Sequence, residues 1–263
     1  MAAAPPKKHL NRGQIRQEKG GLQAIRSARC RLRHEGGDRC PVAGSWSDVS
    51  DARQIIDAGT GSGIVALMAA QRAPRAEVTG VELEPNAVAE AEANRNRSPW
   101  SDRVRIVEDS IQAFATKAEN QGAFDAFLIN PPFFHGKPKS PDEARNLARH
   151  DDALPYEAFL AAAWNLLNSN GTLQVVWPWD RWAELKNGAE NCGFHLRRQA
   201  DVCGREGHEP RRVLSHWVKR PTTEAPQHEV ICIELGERID GQPQISSQYK
   251  ELLNPYVLNW PEP

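Results

Sequence analysis

Between Asp51 and Pro178, short apolar runs alternate with stretches of helical pattern, and this alternation limits the fold more than any other feature of the chain. Residues 53–58, 77–83, 104–107, 124–129 and 173–177 read as strands, and residues 64–72, 86–97 and 156–167 read as helices. A helix between two strands carries the chain back across the sheet, so consecutive strands run parallel. The pattern predicts an α/β domain built on a doubly wound, mainly parallel sheet. Asn170-Gly171 predicts the C-cap of the helix before it. Residues 213–219 and 229–235 alternate apolar and polar side chains and predict an antiparallel pair closing the sheet edge. Residues 51–263 suit one domain of this kind. Residues 1–50 carry no strand or helix period, are strongly basic from Met1 to Arg33, and predict an irregular, disordered segment.

Charge and cysteine content narrow the setting. A formal net charge of -1 over 263 residues gives no global field toward nucleic acid, so an RNA partner needs a local basic face. No apolar run approaches the roughly 20 residues of a membrane span. With no apolar signal core at the N-terminus, a cytoplasmic protein without a membrane partner is expected. The 5 cysteines, Cys30, Cys40, Cys192, Cys203 and Cys232, are odd in number and form no C-x-x-C pair. Free thiols in a reducing compartment and no metal site are expected. A monomer is expected.

Two strand ends carry the chemistry. The first runs into Asp57-Ala58-Gly59-Thr60-Gly61-Ser62-Gly63. Gly59, Gly61 and Gly63 permit a sharp turn and a close approach to a ligand. Asp57 either orients that turn or binds an amino group. Glu82 ends the second strand, where a carboxylate accepts both hydroxyls of a ribose. Glu84 is a weaker candidate for that contact and also reads as a charge in the first turn of the next helix. Asp109 follows the third strand and suits either an adenine amine or a loop cap. A glycine-rich turn alone also fits a dinucleotide site or a purely structural turn. The preceding acid, the D-x-G-x-G-x-G spacing and the residues after the fourth strand favour S-adenosyl-L-methionine.

Those residues are Asn130-Pro131-Pro132-Phe133. An amine conjugated to a ring is a poor nucleophile because its lone pair is delocalised. Asn130 and the carbonyl of Pro131 offer two hydrogen-bond acceptors, which favour a tetrahedral nitrogen with its lone pair aimed at the methyl donor. Pro131 and Pro132 lock φ and fix the direction of the carbonyls. Phe133 offers a face on which a planar group stacks. No general base is required, and the catalytic contribution is orientation and electrostatics. Adenine, guanine N2, cytosine and a glutamine amide all satisfy this chemistry.

Further residues carry a family resemblance: Ser98-Pro99-Trp100-Ser101-Asp102-Arg103-Val104, Ile111-Gln112, the Asn130–Phe134 run, Ala148-Arg149-His150, the His208–Leu214 run and Tyr249-Lys250. From about Ala52 to Trp260 the chain resembles the bacterial tRNA1(Val) adenine-N6-methyltransferase family. The resemblance implies a Rossmann-like class I methyltransferase fold and S-adenosyl-L-methionine as cofactor. It implies transfer to adenine N6 at position 37 of a tRNA, on a flipped or unstacked base. Lys137, Lys139, Arg145, Arg149 and His150, tempered by Asp142, Glu143, Asp151 and Asp152, are candidate phosphate contacts after the site. Arg205, Arg211 and Arg212 form a second such cluster. An rRNA guanine-N2 methyltransferase, a release-factor glutamine methyltransferase and a catalytically impaired RNA-binding relative are the alternatives.

Before Trp46 the resemblance fails. The family opens with Phe-Lys-Gln-Phe and later Cys-Ala-Met-Lys-Val-Gly-Thr-Asp, and neither is present. With suitable synonymous codons, the stretch from Gly21 to Arg26 read one base later gives Ala-Phe-Lys-Gln-Phe. The stretch from Arg31 to Gly44, in the same shifted frame, gives Ala-Cys-Ala-Met-Lys-Val-Gly-Thr-Asp-Ala-Leu-Leu-Leu. Two family motifs in one frame predict that residues from about 20 to 45 are a frameshifted translation, arising from a gene lesion or a sequence error. A segment of that origin is expected to be poorly ordered and to bury little.

Overall fold

The computed structural model describes residues 39–131, 155–239 and 241–256. Its elements are helix α1 (Arg39–Trp46), strand β1 (Gln54–Ala58), α2 (Ile64–Arg72), β2 (Glu77–Glu82), α3 (Pro85–Arg97), β3 (Val104–Glu108), α4 (Ile111–Thr116) and β4 (Phe124–Ile129). They continue with α5 (Tyr156–Leu166), β5 (Leu167–Pro178), α6 (Trp182–Asn191), β6 (His195–Arg205), β7 (Arg212–Val218), β8 (Gln227–Ile239), β9 (Gln242–Ile245) and α7 (Ser247–Leu253). The strands form one sheet in the order β3-β2-β1-β4-β5-β7-β6-β8-β9. The first five pair in parallel, as the strand–helix alternation requires.

Strand side chains point alternately to the two faces, so each apolar run feeds two cores. Ile55, Ala126 and Leu128 pack on one face with Trp46 and the buried side of α2. Ile56, Phe127 and Ile129 pack on the other with Phe159, Phe194 and Trp217. Residues Ile64 to Ala70 of α2 are all buried, which explains why this helix is apolar on every side. Its last turn is closed from outside. The Arg103 guanidinium donates to the carbonyls of Ala70, Ala73 and Ala76 at 2.8, 3.1 and 2.7 Å, satisfying acceptors that a helix C-terminus leaves open. Glu84 caps α3 by accepting from the Ala87 amide at 2.7 Å, which is the local role expected for a charge at that point.

The structure corrects four expectations. Residues 39–46 are not irregular: they form α1, and Val42, Ala43, Trp46 and, just beyond the helix, Val49 are buried in the core. Trp46 anchors the helix by donating from Nε1 to Glu229 at 3.0 Å, under the Arg198 guanidinium 4.4 Å from its ring centre. The two late strands do not pair with each other. Both flank β6, antiparallel for β7 and parallel for β8. β6 itself was not foreseen, and neither was α6, because both are rich in polar residues with intermediate burial. Asn170-Gly171 is not a helix C-cap. Helix α5 ends at Leu166, and Asn170 and Gly171 lie within β5, where the register against β4 shifts. The remainder of the segment expected to be irregular, residues 1–38, lies outside the described residues.

Candidate active site

The C-terminal ends of four neighbouring strands bring the candidate residues into a row. Ala58 of β1 is in register with Val81 of β2 and with Ile129 of β4. The next residues, Glu82, Gly59 and Asn130, therefore leave the sheet side by side. Glu108 of β3 is in register with Glu82, which brings Asp109 onto the same edge, its amide donating to the Glu82 carbonyl at 2.9 Å. At about 4.8 Å per strand, the row from Asp109 to Asn130 spans roughly 14 Å. This is the crevice outside the carboxyl ends of strands where open α/β sheets bind ligands.

The glycine turn is held from below. Gly59, Gly61 and Gly63 have φ of 65°, 55° and 80°, a region that disfavours any side chain. The Gly59 and Thr60 amides donate to the Val81 carbonyl at 2.8 and 3.1 Å. Among the described residues, a Cβ added at Gly59 or Gly61 meets no atom within 4 Å, so a ligand can approach the backbone there. Gly63 differs: its added Cβ would lie 3.2 Å from the Ala91 Cβ, so it serves the packing of α2 against α3.

Asp57 points inward and is buried. Its carboxylate accepts from the Thr60 hydroxyl at 2.5 Å and from the Ala66 amide in the first turn of α2. Of its two expected roles, orientation of the turn is the one these contacts serve. Burial pushes its carboxyl up to about 7, while the two hydrogen bonds hold it down and the nearby Glu82 adds to the rise. Glu82 faces the turn from β2. One carboxylate oxygen accepts from the Gly61 amide at 2.8 Å, and the other from the Leu83 and Glu84 amides at 2.9 and 3.0 Å. Three of the four lone-pair sites are thereby taken, and the oxygen that faces Gly61 keeps one for a ligand hydroxyl. The Asp109 carboxylate pairs with Lys117 at 2.8 Å. Asn130 is half-buried and Pro131 is buried, while Pro132, Phe133 and the basic cluster from Lys137 to His150 lie outside the described residues.

Four residues that sequence reasoning missed complete the setting. Thr60 holds Asp57. Gly80 makes room for Thr60, since a Cβ there would lie 2.9 Å from both branches of the Thr60 side chain. Asn94, buried in α3, donates to the Ser62 carbonyl at 2.9 Å and fixes the turn from behind. Leu83 is 60% exposed beside Glu82, an apolar surface on the cleft edge. An asparagine on the inward side of an Ala/Glu helix was the one available signal among these. Among the described residues no group of three or more His, Cys, Asp or Glu is placed to hold a metal, and no helix is long and apolar enough to cross a membrane.

Residues 45–182 match the family described as Methyltransferase small domain. The match begins at Ser45, within α1. A tRNA1(Val) (adenine(37)-N6)-methyltransferase of Bacteroides thetaiotaomicron is 34% identical over 219 residues, 83% of this chain and 88% of that protein. A protein of the same name from Tolumonas auensis is 37% identical over 210 residues, 76% of this chain and 85% of its own length. Among solved structures, a protein of Agrobacterium tumefaciens described as a predicted O-methyltransferase superposes with a TM-score of 0.62 at 16% identity, covering 83% of this chain and 97% of that one. The fold is thus the Rossmann-like class I methyltransferase fold, and the mixed sheet with its antiparallel late strands agrees with it.

Proposed function

The chain belongs to the tRNA1(Val) (adenine(37)-N6)-methyltransferase family, and we infer that it transfers a methyl group from S-adenosylmethionine to N6 of adenine 37 in tRNA1(Val). The observation that carries this reading is the row of Asp109, Glu82, Gly59 and Asn130 along one sheet edge. Its order suits an adenosine at the Glu82 end and a reacting amine at the Asn130 end.

The residues present fit the cofactor. Glu82 keeps one free acceptor site for a ribose hydroxyl, the open faces of Gly59 and Gly61 admit the chain that joins ribose to sulfonium, and Leu83 offers an apolar face to the adenine ring. When bound, S-adenosylmethionine supplies a methyl group on a positively charged sulfur. This chain's contribution is placement. Asn130 and the Pro131 carbonyl accept the two N6 protons and turn the nitrogen lone pair toward the methyl. These contacts strengthen as positive charge develops on nitrogen, so they stabilise the transition state more than the ground state. Phe133 stacks the extruded base. The tRNA backbone meets cations at the same edge, with Arg211 just before β7 and Arg212 at its start, where Arg212 is in register with Pro178 of β5.

The test is methylation of an unmodified tRNA1(Val) transcript by the full chain, followed by digestion to nucleosides. N6-methyladenosine, lost when adenine 37 is replaced, is the expected product. N2-methylguanosine, or a methylated release-factor glutamine in place of RNA, overturns the reading.

A further inference from the structure

Two of the cysteines meet on the late half of the sheet. Cys203 of β6 and Cys232 of β8 are register partners on adjacent parallel strands, and their sulfurs lie 2.7 Å apart. Register partners on neighbouring strands stand about 4.8 Å apart, inside the Cα separation of about 4.4–6.8 Å that a disulfide spans. Neither strand has to move for the sulfurs to join. Cys203 is buried, with its thiol toward the Ile231 carbonyl at 3.6 Å, whereas Cys232 is partly exposed and within reach of a small oxidant. The backbone around the pair is fixed: the Ser246 hydroxyl donates to the Cys232 carbonyl, and the Arg205 guanidinium donates to the Gly236 carbonyl.

We propose that Cys203 and Cys232 are a reversible modification site, closing to an intrachain disulfide when the protein meets a small-molecule disulfide such as oxidised glutathione. Cys232 first gives up its proton, and its sulfur attacks one sulfur of the oxidant. The oxidant's S–S bond breaks, and one glutathione leaves as a thiol after taking up a proton. Cys203 then gives up its proton, and its sulfur bonds to that of Cys232 and expels the second glutathione, which also leaves as a thiol. Two protein thiols lose two electrons, and one small disulfide gains them. Burial, reinforced by the neighbouring thiol, pushes the Cys203 thiol up to about 12, which suits it to the second step rather than the first.

The bond would fasten β6 to β8 at the root of the β6–β7 connection, the segment that carries Arg205, Arg211 and Arg212. The two cysteines stand 29 residues apart. A loop of that length raises the melting temperature by about 5–10 °C when closed without strain.

The experiment exposes the full chain to oxidised glutathione, alkylates the remaining thiols and maps the peptides. The expected result is intact protein lighter by two hydrogens, one peptide pair linked through Cys203 and Cys232, and a melting temperature that rises and returns on reduction. Cys203→Ser should stop after the first step and keep glutathione on Cys232. Alkylation of both cysteines after oxidation overturns the proposal, as does linkage of either to Cys30, Cys40 or Cys192. A Cys203→Ser protein that folds and takes up no glutathione at Cys232 overturns the proposed order of attack.

Discussion

Asp57 and His216 should titrate against each other, and the difference can be measured. Asp57 is 2% exposed, and its carboxyl is raised from 3.8 to about 7, chiefly by burial. His216 lies between Gln174 of β5 and Arg198 of β6, and its Nε2 has no hydrogen-bond partner among the described residues. Burial lowers its imidazole from 6.5 to about 4, opposed by Asp48 and assisted by Arg198 and Arg197. Between 3.8 and about 7 the folded protein holds a proton on Asp57 that the unfolded chain has lost, so this contribution to stability falls as pH rises. Between about 4 and 6.5 the unfolded chain holds a proton on His216 that the folded protein lacks, so this contribution is lost as pH falls. At about 1.4 kcal/mol per pH unit, Asp57 swings by up to about 4 kcal/mol and His216 by up to about 3 kcal/mol. Across the shared window the two slopes cancel. Asp57→Asn keeps a hydrogen bond to Thr60 by reversing it, because an amide can donate to the hydroxyl. With the Asp57 slope gone, this variant should lose about 2 kcal/mol more than the wild type between about pH 6.5 and pH 4.5. His216→Gln should tilt the other way and gain stability on acidification. Urea unfolding followed by tryptophan fluorescence over this range gives the three curves. All other groups are common to the three proteins, so parallel curves refute the burial argument.

Glu82→Ala should weaken S-adenosylmethionine binding about tenfold to a hundredfold, since a charged acceptor of a ribose hydroxyl is removed, while tRNA affinity stays the same; calorimetry with each ligand separates the two. The same variant releases the Gly61 amide, so its melting temperature should also fall. Gly80→Ala drives a methyl group into Thr60 and should cost about 1–3 kcal/mol of stability, partly recovered when Thr60→Ser removes one of the two clashing branches. Ala43→Leu introduces the residue that the shifted frame reads there, beside a cleft lined by Trp46, Val65, Leu128 and Val176. It should stabilise the protein by about 1 kcal/mol and raise the melting temperature by about 2–4 °C; an unchanged or lower value in a thermal scan counts against a frameshifted segment.

The first five strands were legible because each is a short apolar run closed by a turn signal, and in a sheet buried on both faces such a run has few other readings. The positions of Gly59, Glu82 and Asn130 were legible for the same reason: each ends one of those strands. The late sheet was not. The alternation in β7 and β8 shows that each is a strand but carries no statement of its partner, and the partner, β6, is masked by His195, Arg197, Arg198 and Gln199. Asn170-Gly171 has the chemistry of a helix cap, yet the pairing of β5 with β4 and β7 outweighs that local preference. Gly80 and Asn94 act through contacts 20 and 32 residues away, with Thr60 and Ser62, which no local pattern encodes. Residues 39–46 read as featureless because Cys40, Pro41 and Gly44 are poor helix formers, and their helix is held by packing on α2.

The direct test of the account is single-turnover methyl transfer to tRNA1(Val) with cofactor saturating, comparing the wild type with Asn130→Ala. If Asn130 accepts from the reacting amine, the chemical step slows by about 2–4 kcal/mol of barrier, roughly thirtyfold to a thousandfold, with cofactor affinity unchanged. Equal rates in the two proteins would contradict the placement of the reacting nitrogen at the end of β4.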